Sequence, residues 1–347
     1  MRKWTVGFLA AIASLAGAAT AQAAAIPVST LLTDFSLITN GNFTTSNEVV
    51  GPVLIGGNLR DTSIINTKPV VPLPIPVAGL GEVNVFGNVV GTTVSGSPIV
   101  GANSVVLIGG TNPTAPSTVT ATFPGKGAGS VLSGNPFTGI NFATDIWGQL
   151  TGVSANLATL AANGSFNPTS GVFTCTGCTG NFVWDVTTAQ LEAAIRPLVF
   201  PTCLKEPSPT CDGVVNVDGT SFSSTRTFFP LTALEGLIFN FENATSVTIN
   251  GAFEASILAP DANLQSSSFI EGNVVTDSVG ATGAIGGEIH NFTFDCGDNL
   301  CVCPPGTPGC GSGPGPVPMP EPGSLALLAT SLLGFGLLRR RRRGPGR

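Results

Sequence analysis

The chain has 347 residues, of which 45 are Gly and 27 are Pro, and this abundance of helix-breaking residues argues against a mostly helical protein. With 42% hydrophobic and only 10% charged residues, the composition excludes an intrinsically disordered chain. Residues 24–318 contain six Lys and Arg against 19 Asp and Glu, a net charge of −13, and such an acidic surface excludes nucleic acid as a partner.

The start of the chain has the three parts of a signal peptide. A basic pair at residues 2–3 precedes an apolar run at 4–18, and Ala21 and Ala23 fit the small–x–small form of a cleavage site. The sequence therefore predicts export through the Sec translocon, with residues 1–25 removed by signal peptidase.

Short apolar runs that end in Gly or Asn recur in the first half of the chain and predict strands followed by turns. These runs are 35–38, 53–58, 83–88 and 105–110. The glycines Gly56, Gly87 and Gly109, which end three of them, are 31 and 22 residues apart. These intervals favour the coils of a β-solenoid over a sandwich, in which strands recur every 8–12 residues or so.

Two helices are predicted between the two series of strands. The first is 141–162, capped by Asn141, because apolar residues recur there every three or four positions and form one stripe. The stripe consists of Phe142, Ile146, Leu150, Val153, Leu157 and Leu160. Such a helix is expected to pack along the flank of the solenoid. The second is 187–198, since Thr187 and Gln190 have the spacing of a capping box.

The eight cysteines fall into two sets, and export makes disulfides the default expectation. We predict that each set pairs within itself, whereas a metal or redox site at the Cys175–Cys178 pair lacks supporting ligands. The two sets are Cys175, Cys178, Cys203 and Cys211, and Cys296, Cys301, Cys303 and Cys310.

A second series of strands carries a family resemblance. These strands are predicted at 214–217, 237–241, 246–249, 255–260, 272–275 and 288–292. The blocks Phe-Asn-Phe, Ala-Thr-Ser, Ser-Ile-Leu-Ala-Pro, Gly-Asn-Val-Val and Glu-Ile-His-Asn, in this order within 237–294, are similar to the choice-of-anchor A domain. Residues 34–37 and 53–58 resemble the opening of that family. The resemblance implies an exported bacterial surface protein and supplies no catalytic residues.

Groups that could perform catalysis are scarce, because the chain has a single His and no Tyr. Glu288 and His290 are two residues apart on a predicted strand, so their side chains share a face. A hydrolase that uses this pair is one hypothesis. A hydrogen-bonded structural His is the preferred interpretation, because no nucleophile motif accompanies it. We predict no enzyme activity, no metal site and no cofactor.

A binding surface is a further hypothesis. Thr118, Thr120 and Thr122 would place three hydroxyls on one strand face, but an ice-binding surface needs such ranks on several coils. Residues 266–268 form a weaker serine rank. Ice and extracellular polysaccharide therefore stay open as ligands of a β-solenoid binding module.

The C-terminal end resembles the PEP-CTERM sorting signal of bacterial proteins, which an exosortase is thought to cleave. Pro320, Glu321 and Pro322 precede 324–338, fifteen residues without a charge. A helix of that length spans about 22 Å, less than a bilayer core of about 30 Å, so it predicts a temporary transmembrane anchor. The arginines that follow, expected on the cytoplasmic side, are Arg339, Arg340, Arg341, Arg342 and Arg343.

Together these observations predict a mainly β protein: a β-solenoid-like domain with one long amphipathic helix on its flank, followed by a C-terminal membrane helix. The predicted segments are a signal peptide (1–25), a choice-of-anchor A-like domain (26–294), a Cys-, Pro- and Gly-rich stalk (295–318) and a sorting signal (319–347). We expect a non-enzymatic, structural or adhesive protein that passes through the inner membrane to the cell surface or extracellular matrix. Its predicted processing partner is an exosortase-like enzyme.

Overall fold

A computed structural model describes most of the region between the signal peptide and the stalk. The described residues are 26–45, 47–60, 64–65, 80–81, 83–90, 105–111, 130–134, 136–175, 180–194, 197–204, 211–224, 236–280, 286–290 and 294. The predicted cleavage site, the stalk, the sorting signal and the 118–122 threonine rank lie outside these residues.

Strands dominate the described part of the chain, and helices are few. The strands are β1 (Leu37–Thr39), β2 (Phe43–Thr44), β3 (Glu48–Val49), β4 (Val53–Ile55), β5 (Leu59–Arg60), β6 (Ile64–Ile65), β7 (Val83–Val85), β8 (Val89–Val90), β9 (Val105–Ile108), β10 (Ser130–Ser133), β11 (Gly164–Asn167), β12 (Val172–Cys175), β13 (Phe182–Thr187), β14 (Gly213–Asp218), β15 (Ser221–Ser224), β16 (Leu237–Asn240), β17 (Ser246–Ile249), β18 (Ser256–Ser266), β19 (Ile270–Glu271), β20 (Val274–Val279) and β21 (Ile289–His290). The helices are α1 (Val28–Asp34), a π-helical segment (Phe142–Trp147) that continues into α2 (Gly148–Ala158), α3 (Thr188–Ala193) and a 3₁₀ turn (Thr202–Leu204).

Parallel pairing arranges all of these strands except β11 and β12 in three ladders. The first ladder has the order β10-β9-β7-β4-β1-β20-β18-β16-β14-β13. The second ladder runs β8-β5-β2-β20-β18-β17-β15, because the long strands β18 and β20 contribute to both. The third ladder is β6-β3-β21-β19. The prediction of a mainly β protein with few helices is confirmed.

The chain enters the first ladder in its middle. From β1 it moves strand by strand to β10, passes through α2, and starts again at the opposite end with β13. It then returns strand by strand to β20, which pairs with β1 in the register Leu37 to Val274. The two series of strands inferred from the sequence therefore form one continuous ladder, joined where the first strand meets one of the last.

Glycines at the corners allow neighbouring backbones to approach closely. A Cβ on Gly57 would lie 2.5 Å from the backbone of Gly41, and a Cβ on Gly87 would lie 2.3 Å from the carbonyl oxygen of Gly57. Any larger residue would push adjacent strands apart. This close approach explains why the apolar runs end in glycine.

The predicted helix packs against the first ladder as expected, but its length differs. Asn141 Oδ1 accepts hydrogen bonds from the backbone of Ala143 and Thr144 at 3.0 and 3.4 Å, so the predicted cap is present. The helix ends at Ala158 rather than 162. Asn163 instead bonds strand β13: its N–H donates to Val183 O at 3.0 Å and its Oδ1 accepts from Val183 N at 2.8 Å.

A buried polar network fixes α2 on the ladder. Ser154 Oγ donates to Asn240 Oδ1 at 2.6 Å, and Asn240 Nδ2 donates to Ser154 O at 2.9 Å. Asn216 Nδ2 donates to the carbonyl of Leu157 at 2.9 Å, which satisfies one of the open carbonyls at the helix end. Because each of these buried groups has a partner, the network specifies the position of the helix along the ladder.

The second predicted helix is also shorter than expected. Thr187 and Gln190 form the predicted capping box, but α3 ends at Ala193 rather than 198. Val199 N donates to Gly171 O at 2.9 Å, and Val199 O accepts from Phe173 N at 2.8 Å. Because the backbone of Val199 pairs with β12, it cannot continue the helix.

The β11–β12 hairpin is a feature that the sequence analysis missed. It is antiparallel and lies against β13, the end strand of the first ladder. Trp184 of β13 donates from Nε1 to Thr174 O at 2.8 Å and contacts Phe173 edge-to-face at 5.5 Å. Covering this edge protects it from pairing with another chain.

Cys203 and Cys211 form a disulfide, and Cys175 is also disulfide-bonded. Both Cys203 and Cys211 belong to the first predicted set. The second set lies outside the described residues, so its pairing stays a prediction. None of the helices in the described part of the chain is long and apolar enough to cross a membrane.

Candidate functional site

The second ladder has one buried and one open side. Phe222, Val247, Leu264, Val279 and Phe43 occupy equivalent positions on neighbouring strands, and all are buried. Side chains alternate along a strand, so the residues before and after each of them point outward. The first ladder has no such open side where α2 packs on it. The second ladder thus presents the candidate binding surface.

We call the outward-pointing side chains of the second ladder the outer face. It consists of Ser221 and Ser223, Ser246 and Thr248, Asn263 and Gln265, Ser278, Asn42 and Thr44, Asn58 and Arg60, and Asn88 and Val90. Its seven rows are separated by the usual strand spacing of about 4.8 Å, so they cover about 29 Å.

Four hydroxyls at one end of the outer face form a regular grid. Ser221 lies opposite Ser246, and Ser223 lies opposite Thr248. Neighbours are separated by about 4.8 Å across the strands and about 6.7 Å along them. Within the described ranges these four hydroxyls, which we call the hydroxyl quartet, have no hydrogen-bond partner. They are therefore free to donate to and accept from a ligand.

Amide side chains hold the middle and the other end of the outer face in order. Asn58 Nδ2 donates to Asn42 Oδ1 at 3.0 Å, and Asn88 Nδ2 donates to Asn58 Oδ1 at 3.2 Å. Gln265 Nε2 donates to Asn263 Oδ1 at 2.8 Å within one row, and Asn263 Nδ2 donates to Ser278 Oγ at 2.8 Å on the next row. Side chains that bond one another from row to row keep fixed positions, so this surface loses little conformational entropy when a ligand binds.

The outer face differs in charge from the rest of the domain. None of its outward-pointing side chains is a carboxylate, and Arg60 is the one charged side chain among them, although residues 24–318 carry 19 acidic groups. One carboxylate lies at its edge, where Glu192 Oε1 accepts a hydrogen bond from Ser223 N at 2.8 Å. The third ladder shows the contrast, because Glu48, Glu271 and Glu288 all lie on it or beside it. A neutral surface on an acidic domain suits an uncharged partner.

The predicted pair Glu288 and His290 is brought together at the third ladder. His290 Nε2 lies 3.0 Å from Glu288 Oε2, and its Nδ1 lies 3.2 Å from Glu271 Oε1 on the neighbouring strand. Each ring nitrogen of His290 therefore has a carboxylate as its hydrogen-bond partner, and neither nitrogen is placed to activate a nucleophile. The geometry is that of a structural His which ties β19 to β21.

Other candidate positions do not form a site. Of the predicted serine rank, Ser266 is buried, and its Oγ donates to Ser268 O at 2.6 Å. In the part of the chain that the structure describes, no group of three or more His, Cys, Asp or Glu residues could hold a metal ion.

The outer face was not predicted from the sequence, although a signal for it is present. Ser221-Phe-Ser223 and Ser246-Val-Thr248 both place a buried apolar residue between two hydroxyls. Two isolated three-residue patterns do not reveal that they are neighbours. The pairing of β15 with β17 decides that.

Comparisons with known proteins agree with this picture. No curated protein and no solved structure matches the chain. A family model described as "Putative Ice-binding-like adhesive domain" matches residues 28–291, which is more than half of the chain. The match covers all three ladders and α2, from the first described helix to the last strand. The chain therefore belongs to the ice-binding-like adhesive domain family.

Proposed function

We propose that this protein is a non-enzymatic adhesive of the bacterial cell surface or extracellular matrix, and that the outer face makes the adhesive contact. The observation that carries the proposal is the hydroxyl quartet, an ordered set of unpaired hydroxyls on an open sheet face. Membership of an adhesive domain family supports the same role. The carboxylates on both nitrogens of His290 argue against the alternative of a hydrolase.

The architecture that suits this role is a β-solenoid. In this interpretation, β1, β2 and β3 form one coil, β4, β5 and β6 form the next, and each ladder is one face of the solenoid. The parallel pairing of β1 with β4, β2 with β5 and β3 with β6 supports it. A solenoid gives every coil the same outward position, so it builds a long regular surface from short strands.

The ends of the chain would deliver this domain to the surface. We propose that residues 1–25 direct export, that 324–338 hold the chain briefly in the inner membrane, and that an exosortase-like enzyme processes the PEP-CTERM-like signal. The order of the apolar segment and the arginine cluster supports this route. The choice-of-anchor A resemblance implies the same kind of exported protein.

Substitution Thr248→Arg tests the adhesive role of the outer face. The long charged side chain would cover the hydroxyl quartet, so we expect most of the full-length protein to move from the extracellular matrix to the culture medium. Immunoblots of matrix and medium from cells that produce each variant measure this distribution.

The matched control is Thr169→Arg, which adds the same side chain at an exposed turn of the β11–β12 hairpin. This variant should stay in the matrix like the wild type. Equal matrix retention of Thr248→Arg and wild type, with both proteins folded by circular dichroism, would contradict the proposal.

Substitution Glu321→Ala tests the sorting signal. Without the acidic residue between Pro320 and Pro322, we expect the chain to escape cleavage and to accumulate in the membrane fraction. Mass spectrometry of the wild-type surface protein should place its C-terminus near Pro320. A mature surface protein that still carries Arg339 to Arg343 would show that the segment is a permanent anchor instead.

A further inference from the structure

The outer face limits the chemical class of its ligand. We propose that it binds an uncharged, hydroxyl-rich polysaccharide whose chain lies across the strands, parallel to the direction in which the rows repeat. This inference rests on the proposed adhesive role of the same face.

Charge is the first argument. Residues 24–318 carry a net charge of −13, yet none of the outward-pointing side chains of the outer face is a carboxylate, and the neighbouring Glu192 bonds the backbone of Ser223 at its edge. An anionic polymer on the hydroxyl quartet would be repelled by the Glu192 carboxylate, which accepts a hydrogen bond from Ser223 N at 2.8 Å, well inside the screening length of about 8 Å at physiological salt. A cationic polymer would instead find its partners at Glu48, Glu271 and Glu288 of the third ladder. A neutral polymer avoids both conflicts.

Hydrogen-bonding capacity is the second argument. The hydroxyl quartet offers four groups that both donate and accept, and the amides of Asn263 and Gln265 continue the same two columns on the next row. Sugar hydroxyls have the same dual character, so they complement such a row directly. A protein segment would leave many of these hydroxyls unpaired against apolar side chains, which costs binding free energy.

Row composition is the argument against ice. An ice-binding face needs threonine ranks that stack on neighbouring rows. Within the described outer face the threonines are Thr44 and Thr248, and the rows of β18 and β20 separate them. The hydroxyl quartet instead consists of three serines and one threonine, which favours individual hydrogen bonds over a uniform lattice match.

Orientation follows from the repeat. A polymer that lies across the strands meets an equivalent pair of side chains about every 4.8 Å, over a length of about 29 Å. A polymer along a strand would leave the face after two outward residues. Binding should therefore strengthen as the bound oligosaccharide becomes longer.

The experiment measures binding of the full chain to cellulose, chitin and dextran, with alginate as an anionic probe and a growing ice surface as a third arm. We expect binding to at least one neutral polysaccharide, no binding to alginate, and no loss of binding when the salt concentration is raised. Oligosaccharides of increasing length from the polysaccharide that binds should show rising affinity.

The decisive variant removes the hydroxyls of the quartet with little change in shape: Ser221→Ala, Ser223→Ala, Ser246→Ala and Thr248→Val together. We expect binding to weaken by about tenfold or more, because up to four hydrogen bonds are lost. The control Thr169→Val with Ser170→Ala removes hydroxyls from the hairpin turn and should bind normally. Thermal unfolding of both variants verifies that they fold.

Several results would overturn the assignment. They are salt-sensitive binding to alginate, adsorption to ice that is lost together with the hydroxyl quartet, and no binding to any neutral polysaccharide. The last result, combined with loss of matrix retention in Thr248→Arg, would reject the polysaccharide and leave the adhesive role intact. Normal matrix retention of Thr248→Arg would reject the adhesive role itself.

Discussion

Replacing Trp184 with alanine is expected to lower the free energy of unfolding by about 3–5 kcal/mol. Trp184 is fully buried at the end of the first ladder, where it contacts Phe173 and Phe200 edge-to-face at 5.5 and 6.1 Å. Its removal would leave a large cavity and free the carbonyl of Thr174 from its hydrogen bond. Urea unfolding followed by circular dichroism measures the change.

The matched control is Trp147→Ala on the helical segment next to α2. Trp147 is only half-buried, so a smaller loss of stability is expected there. If Trp184→Ala cost no more than Trp147→Ala, the hairpin would not be packed on β13 as described.

Replacing Leu150 with aspartate is expected to cost on the order of 3 kcal/mol or more. Leu150 is fully buried between α2 and the first ladder, in one cluster with Ile38, Leu54 and Leu258. A carboxylate there would be buried without a partner, or would need to bind a proton before the helix could pack. The expected result is a much lower melting temperature or loss of the folded protein.

Ala155→Asp serves as the control because Ala155 lies on the exposed side of the same helix. An aspartate at this position has a lower helix propensity and places a negative charge in the last turn of the helix but buries nothing, so we expect a loss of about 1 kcal/mol, well below that of Leu150→Asp. Equal stability of the Leu150→Asp variant and the wild type would refute the packing of α2 on the ladder.

The two helices show which features a local sequence pattern predicts: the buried side and the cap residues, but not the helix ends. The 3.6-residue stripe predicted that Leu150, Val153 and Leu157 are buried on one side, and all three are. The cap residues Asn141 and Thr187 were also identified correctly. The helix ends were placed too late, because contacts distant in sequence compete with helix propensity and win.

The candidate site was likewise predicted only in part. The sequence indicated the strand at 246–249, which carries Ser246 and Thr248, but not β15, and it placed Glu288 and His290 on one face. It did not reveal Glu271 as the second partner of His290, since 19 residues separate them and only the pairing of β19 with β21 joins them.

The sequence by itself determined most strands of the first ladder, the glycine corners, the amphipathic helix and the acidic character of the domain. These features depend on side-chain periodicity and composition, which are local. The tertiary structure decided which strands are neighbours, including the junction of β1 with β20, and which face stays open. The strands of the first ladder are buried on both faces, as in Val53–Ile55 and Leu237–Asn240, whereas Ser221–Ser224 of the second ladder alternates between exposed and buried residues. A local pattern shows this alternation but not which alternating strands are neighbours. The second ladder became the candidate binding surface because α2 covers the first, and that choice depends on contacts between residues far apart in the chain.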